Sequence, residues 1–270
     1  MPTPRVLLLR TAGTNCDREL DHAFSLVGAQ VASLHINALL KDPAQLAQFQ
    51  VLAFPGGFSY GDDIASGKIL ANQLIHHLKQ PLRTFIDDGK LILGVCNGFQ
   101  VLVKSGLLPG PMPQLNPADW HPATLTHNTT GRYEDRWVKL KCISRNSAWI
   151  PQEKHGTLLD IPVAHGEGRF VARSPEILAH LEANDQVAFQ YVNEDGTPAT
   201  LFPALPNGSQ NAIAGITDTT GRVLGLMPHP ERVVHPENHP LFSRGQGSPD
   251  GLLIFQSAMN YLRSRETVTV

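Results

Sequence analysis

Leu91-Ile92-Leu93-Gly94-Val95-Cys96-Asn97-Gly98-Phe99-Gln100 runs from an apolar stretch into a cysteine flanked by glycines. Leu91 to Val95 carries no charge and predicts a strand buried on both faces. Phe99 to Ser105 follows at once and is closed by Gly106, which predicts a short helix with a glycine stop. Cys96 sits in the turn between them, with glycines two residues before and two after it. That is the spacing of a strand–turn–helix nucleophile elbow, with sulfur in place of hydroxyl. The spacing has a steric reason. So sharp a turn strains its central residue, and strand and helix approach each other only where side chains are missing. The helix start then sets unpaired N–H groups and a positive dipole end beside the sulfur. This setting favours the thiolate, the form that attacks carbonyls. A buried structural cysteine is the plainer alternative, since free cysteines are often core residues.

Around the elbow, apolar runs alternate with helical patterns. Val6 to Leu9 predicts a first strand, followed by a helix capped by Asp17, with Leu20, Phe24 and Val27 on one face and Gly28 as its stop. Gln30 to Ile36 and Gln50 to Phe54 predict two more strands. Between them Asp42-Pro43 has the form of an N-cap with proline at the first helical position. A long helical region is expected from about Ser66 to Asp88, kinked at Pro81. Strands alternating with helices imply an α/β fold, a mostly parallel sheet with helices on both faces.

Beyond Gly106 the texture changes. Residues 109–136 hold prolines at 109, 111, 113, 117 and 122 and predict an extended surface connection. Further strands are expected at Trp137–Ile143, Ile161–Ala164, Gln186–Val192, Ala212–Ile216 and Arg222–Met227. The last two are joined as an antiparallel hairpin around Thr219-Thr220-Gly221. Ser174-Pro175 opens a short helix, 235–249 is a second surface insertion, and a final helix runs from about Asp250 to Ser264. With no internal repeat or heptad, residues 1–270 are read as a single domain.

Charge and cysteine content narrow the function. A net charge of −2 with no basic block argues against a nucleic-acid groove, and equally against attraction to an anionic membrane. The first apolar run is too short for a signal-peptide core or a membrane span. Three cysteines, Cys16, Cys96 and Cys142, form no fully paired disulfide framework, so a reducing, cytoplasmic setting is expected.

Twelve histidines compete to be the partner of Cys96. His76-His77 lie on an expected helix, and His235 and His239 in a proline-rich loop. His229 differs: it stands in Met227-Pro228-His229-Pro230-Glu231, directly after an apolar strand. A residue before proline is pushed to extended conformations, where positions i and i+2 point the same way. Glu231 is therefore expected to hold the imidazole nitrogen that faces away from the sulfur. That gives the nucleophile–base–orienter logic of acyl transfer, against the alternative of a rigid, solvated loop.

Two glycine loops remain. Pro55-Gly56-Gly57-Phe58-Ser59-Tyr60-Gly61-Asp62 follows a buried strand and can aim a backbone N–H into a site at the sheet's edge. It is no phosphate loop: Gly61 to Gly67-Lys68 encloses five residues instead of four, and Ile69 follows. His165-Gly166-Glu167-Gly168 lacks a matching His/Cys cluster at metal-ligand spacing, so no metal is expected.

Taken in order, the Cys96 elbow, the Pro55–Asp62 loop and Met227–Arg232 resemble class I glutamine amidotransferases. The resemblance is closer still to the glutaminase components of phosphoribosylformylglycinamidine synthases. Gly13-Thr14-Asn15-Cys16-Asp17, Val163–Gly168 and Asp250–Ser257 extend it over nearly the whole chain. It implies a flavodoxin-like fold and a glutaminase in which Cys96 attacks the side-chain amide of glutamine through a Cys96–His229–Glu231 triad. The N–H groups of Gly57 and Asn97 would hold the oxyanion, and Gln100, Gly56 and the His165–Gly168 loop would contact glutamine. No cofactor is implied in this chain. Ammonia would pass to a synthetase subunit that holds ATP and magnesium and converts formylglycinamide ribonucleotide to its amidine, with a small accessory subunit left open. Segment Asn128–Arg136 resembles the glutaminase domain of the large single-chain synthases, so the form of the partner also stays open. Another Cys–His hydrolase on this fold, a γ-glutamyl hydrolase or peptidase, and a non-catalytic docking module remain alternatives.

Overall fold

A computed structural model describes residues 3–112 and 121–268. Strand β1 (Arg5–Arg10) is followed by helix α1 (Asp17–Leu26), strand β2 (Gln30–His35) and the short helix α2 (Ile36–Lys41). Asp17 is the first helical residue of α1 and not its cap; Cys16 takes the cap position. Pro43 opens a 3-10 turn, and strand β3 (Val51–Phe54) leads to the glycine loop. Next come α3 (Lys68–Gln73) and α4 (Lys79–Asp87), with a π-turn over Leu74–Leu78 between them. The expected kink thus falls one turn before Pro81. Proline removes the N–H that would bond to residue 77, and the wider π-turn lies over that gap.

Strand β4 (Leu91–Val95) and helix α5 (Asn97–Lys104) form the elbow. The second half supplies β5 (Ala123–Thr126), β6 (Glu134–Cys142), β7 (Leu158–His165), β8 (Arg169–Ala172), α6 (Pro175–Ala183), β9 (Val187–Val192), β10 (Ile213–Thr217), β11 (Val223–Leu226) and α7 (Leu252–Val268). The 109–136 stretch departs from an extended surface connection. Part of it, 113–120, lies outside the described residues. Within the rest, β5 pairs antiparallel with β8 in a separate two-stranded sheet, and β6 begins at Glu134. Of the second insertion, 235–249, Pro236–Asn238 and Phe242–Arg244 form 3-10 turns, and the His239 ring packs edge-on against Trp137 at 4.9 Å.

Among the described residues, the main sheet has nine strands in the order β2-β1-β3-β4-β11-β10-β9-β6-β7. Its first five are mutually parallel, and from β10 onward the pairing is antiparallel. Order β2-β1-β3-β4-β11 is the 2-1-3-4-5 arrangement of a flavodoxin-like sheet, with β11 as its fifth strand. Every residue of β3, β4, β10 and β11 is buried, as continuous apolar runs require when helices cover both faces. Helix α1 packs with α7, and α3 with α5. Right-handed crossovers on the two sides of the β1/β3 reversal carry helices to opposite faces. Four loops consequently gather at the carboxyl ends of β1, β3, β4 and β11, where open α/β sheets bind ligands.

Candidate active site

Cys96 stands at the tip of β4 with φ 52° and ψ −107°, a positive φ that a non-glycine residue holds only under constraint. Its N–H donates to the carbonyl of Leu226 at 2.8 Å, and its own carbonyl accepts from Gln100 at 3.1 Å. The glycines are there because of contact distance. A Cβ on Gly98 would lie 2.0 Å from the Phe54 carbonyl oxygen, and one on Gly94 would lie 2.6 Å from that of Gly98. Helix α5 starts at Asn97, two residues earlier than its apolar pattern suggested.

His229 reaches the elbow from the end of β11, and its N–H donates to the Pro162 carbonyl at 2.8 Å. Its Nδ1 lies 2.6 Å from Glu231 Oε1, and both side chains are buried. The route differs from the expected extended segment. Pro230–Arg232 is a 3-10 turn, which the fixed φ of Pro230 accommodates. Burial pushes the imidazole toward the neutral form, but the charges of Glu231 and Cys96 outweigh it, and the net shift is well upward. That direction favours the charged imidazolium. Its Nε2 is fully buried and, among the described residues, has no well-aligned hydrogen-bond partner.

Gly57 has φ +132°, a backbone only glycine adopts without strain, and a Cβ there would strike Gly13 O at 2.7 Å. It faces Thr14 in an antiparallel bridge whose hydrogen bonds are made by its neighbours, Phe58 N–H to Gly13 O and Asn15 N–H to Gly56 O. The Gly57 N–H is thus left outside the bridge. Asn97 is the first residue of α5, whose leading N–H groups have no intrahelical acceptor.

The Asn97 side chain binds three partners. Its Oδ1 accepts from Ser59 N–H at 3.1 Å, and its Nδ2 donates to Asp62 Oδ1 and Gln100 Oε1, each at 3.0 Å. Asp62 also accepts from Ser66 and from Gly67 N–H. Asn97 and Asp62 together hold the 58–67 loop against the elbow. Gln100 Nε2 donates to the Glu167 carbonyl at 2.7 Å, so α5 also holds the 165–168 loop. His165 is buried beneath that loop. Burial and the nearby His229 charge push its pKa down to about 3, which keeps it neutral. Asn128 joins these parts: its Nδ2 donates to the carbonyls of His165 and Arg132, and its Oδ1 accepts from Gly168 N–H and pairs with His165 Nδ1. Ala164 O lies 3.6 Å from Cys96 Sγ.

The structure therefore brings Cys96, His229, Glu231, Gly56, Gly57, Asn97, Gln100 and the His165–Gly168 loop to one sheet edge. Sequence reasoning missed several neighbours. Asn128 falls in the stretch that reads as a surface connection, Asp62 stands out only as part of its loop, and Tyr133 sits over Gly166, 3.8 Å from where a Cβ would be. Cys16 is the largest omission. Its buried sulfur accepts from Arg232 Nη2 at 3.3 Å and lies against the His229 ring. Its place in the loop after β1 was the available signal, since that loop ends at the same sheet edge.

The model of the CobB/CobQ-like glutamine amidotransferase domain matches residues 3–262. A phosphoribosylformylglycinamidine synthase subunit PurQ of Dehalococcoides mccartyi is 43% identical over 265 residues, covering 97% of this chain and 99% of its own. A phosphoribosylformylglycinamidine synthase of Homo sapiens is 37% identical over 246 residues, which are 87% of this chain but 18% of that longer one. Among solved structures, PurLQS from Thermotoga maritima aligns with a TM-score of 0.72 and 31% identity, over 97% of this chain and 100% of that one.

Proposed function

We propose a function from one premise: this chain belongs to the family of CobB/CobQ-like glutamine amidotransferase domains. It is the glutaminase of a phosphoribosylformylglycinamidine synthase, hydrolysing glutamine to glutamate and ammonia for purine biosynthesis. The observation that carries this reading is the buried His229–Glu231 pair at 2.6 Å behind a cysteine held at φ 52°.

The chemistry follows from the charges. Cys96 sulfur attacks the side-chain amide carbon of glutamine, and the carbonyl π-electrons move onto oxygen. The N–H groups of Gly57 and Asn97 hold that oxyanion, a contribution of about 3–4 kcal/mol per donor in such sites. The His229 imidazolium gives its proton to the amide nitrogen, ammonia leaves, and a Cys96 glutamyl thioester remains. Neutral His229 then takes a proton from water as the hydroxyl attacks the thioester. Collapse releases glutamate and restores the sulfur–imidazolium pair. Glu231 keeps Nδ1 protonated and Nε2 turned toward the sulfur throughout. Gln100, Gly56 and the His165–Gly168 loop line the glutamine pocket.

Ammonia passes to a synthetase subunit, where ATP and magnesium activate formylglycinamide ribonucleotide. A small accessory subunit completes the assembly if the partner is not a single chain, and the setting is the cytoplasm. Among the described residues, no helix is long and apolar enough to cross a membrane. Glutamate release should be measured with this chain alone and with a synthetase subunit. Release that rises with the synthetase, together with amidine formed from glutamine, is the expected result. Absence of glutamate in both mixtures would overturn the reading.

A further inference from the structure

We propose that Cys16, His229 and Glu231 form a binding site for a zinc-class divalent cation, occupation of which shuts off the glutaminase. The inhibitory half rests on the function proposed above; the binding half does not. One ligand atom from each of the three residues lies within 4.8 Å of the others, and all three residues are buried. A thiol, an imidazole and a carboxylate are the donor set of tetrahedral zinc. Bonds of roughly 2.0–2.3 Å require these atoms to close by about 1 Å, a movement within reach of side-chain rotation.

Among the described residues, two of the donors have no well-aligned hydrogen bond: His229 Nε2, which meets only the sulfurs of Cys16 and Cys96, and Glu231 Oε2, both buried, a state that costs free energy unless something satisfies it. Gly56 leaves the approach open: a Cβ there would stand 2.9 Å from His229 Cε1 and 3.1 Å from Cys16 Sγ. Sequence spacing gave no hint, because Cys16 and His229 come from opposite ends of the chain and meet only where β1 and β11 end.

The contrary feature is Arg232, whose Nη2 sits 3.3 Å from Cys16 Sγ and repels a cation. Its Nε already lies 3.5 Å from the surface carboxylate of Glu19, and the side chain is partly exposed. Turning outward to Glu19 frees the sulfur. Metal binding then sends the thiol and imidazolium protons to solvent. An imidazole bound to metal neither protonates the departing nitrogen nor activates water. Glu231 either ligates through its free oxygen or keeps its hold on Nδ1, the carboxylate–histidine–metal arrangement.

The test is a titration of the metal-free chain with Co²⁺, whose thiolate charge-transfer band reports sulfur ligation, followed by competition with Zn²⁺. A band saturating at one equivalent is expected, with affinity at least about tenfold weaker in Cys16→Ser. Cys142→Ser, which removes a buried thiol elsewhere, should leave the band unchanged. Arg232→Met should tighten binding, which keeps the idea testable if Cys16→Ser fails to fold. No band in the native chain, or a band and affinity indifferent to Cys16→Ser, would overturn the site. Zn²⁺ inhibition of glutamate release should show the same dependence on Cys16. Cobalt binding in a chain without glutaminase activity would instead reject the proposed function and leave the site standing.

Discussion

His229 is the residue on which charge and fold meet. In an unfolded chain its imidazole titrates near ~6.5; in the fold Glu231 and Cys96 raise it well above that against the pull of burial. The folded protein therefore binds the extra proton. The stability this contributes is complete below about pH 6.5 and is lost as pH rises through the higher folded value. Glu231→Gln removes the carboxylate that raises the imidazole most. Denaturant unfolding between pH 6 and 9 should then show a shallower fall in stability for the variant, and an unchanged slope would refute the pairing. The rates should separate as well. His229→Ala removes proton transfer from both half-reactions and is expected to cost about 10²–10⁴-fold in kcat. Glu231→Gln only loosens orientation and should cost clearly less. Equal losses would show that the two residues do not divide the work in this way.

At the scale of elements, the elbow was legible because its constraint is local. Glycines at 94 and 98 are demanded by backbone contacts, and no distant contact is needed to read them. Gly98→Ala presses a methyl group against the Phe54 carbonyl oxygen at 2.0 Å. Overpacking of this kind costs ~1–3 kcal/mol or more, measurable as a shift in the urea midpoint. Gly131→Ala meets no atom of the described residues within 4 Å and bears the penalty of its φ of +65°, so it should cost less; the reverse order would discredit the elbow geometry. Other elements were illegible for the opposite reason. Strands β5 and β8 have four residues each and pair across more than forty positions, so tertiary contact alone makes them strands. Asn128 read as a loop residue because polarity does not reveal that a residue's hydrogen bonds all point inward. An extended path and the 3-10 turn at Pro230 both bring Glu231 back to His229, so the local sequence does not separate them.

Over the whole molecule, the parallel half of the sheet gathers four loops at one edge, and every proposed catalytic group lies on or beside them. Exposed apolar side chains surround this edge. Phe58 is 46% exposed, Ile64 72% and Tyr133 53%, and Phe58 adjoins the peptide that carries the Gly57 donor. Docking of the synthetase over these residues would press that loop into place. The isolated chain should accordingly be a weak glutaminase, with the synthetase raising kcat by roughly 10²–10³, the worth of one oxyanion donor. KM for glutamine should move less, because the oxyanion exists only after attack. Full-speed hydrolysis by the chain alone would mean that the donors are already set.

Two buried thiols, Cys96 and Cys16, lie against one imidazole, so identifying which of them carries the glutamyl group is the most direct test of the mechanism. Rapid quenching of the synthetase complex with glutamine, followed by peptide mass spectrometry, reads that group directly. The expected result is one glutamyl thioester on the peptide containing Cys96, absent in Cys96→Ser while the variant keeps its native melting temperature. A thioester on Cys16, or continued glutamine turnover by Cys96→Ser, would contradict the assignment.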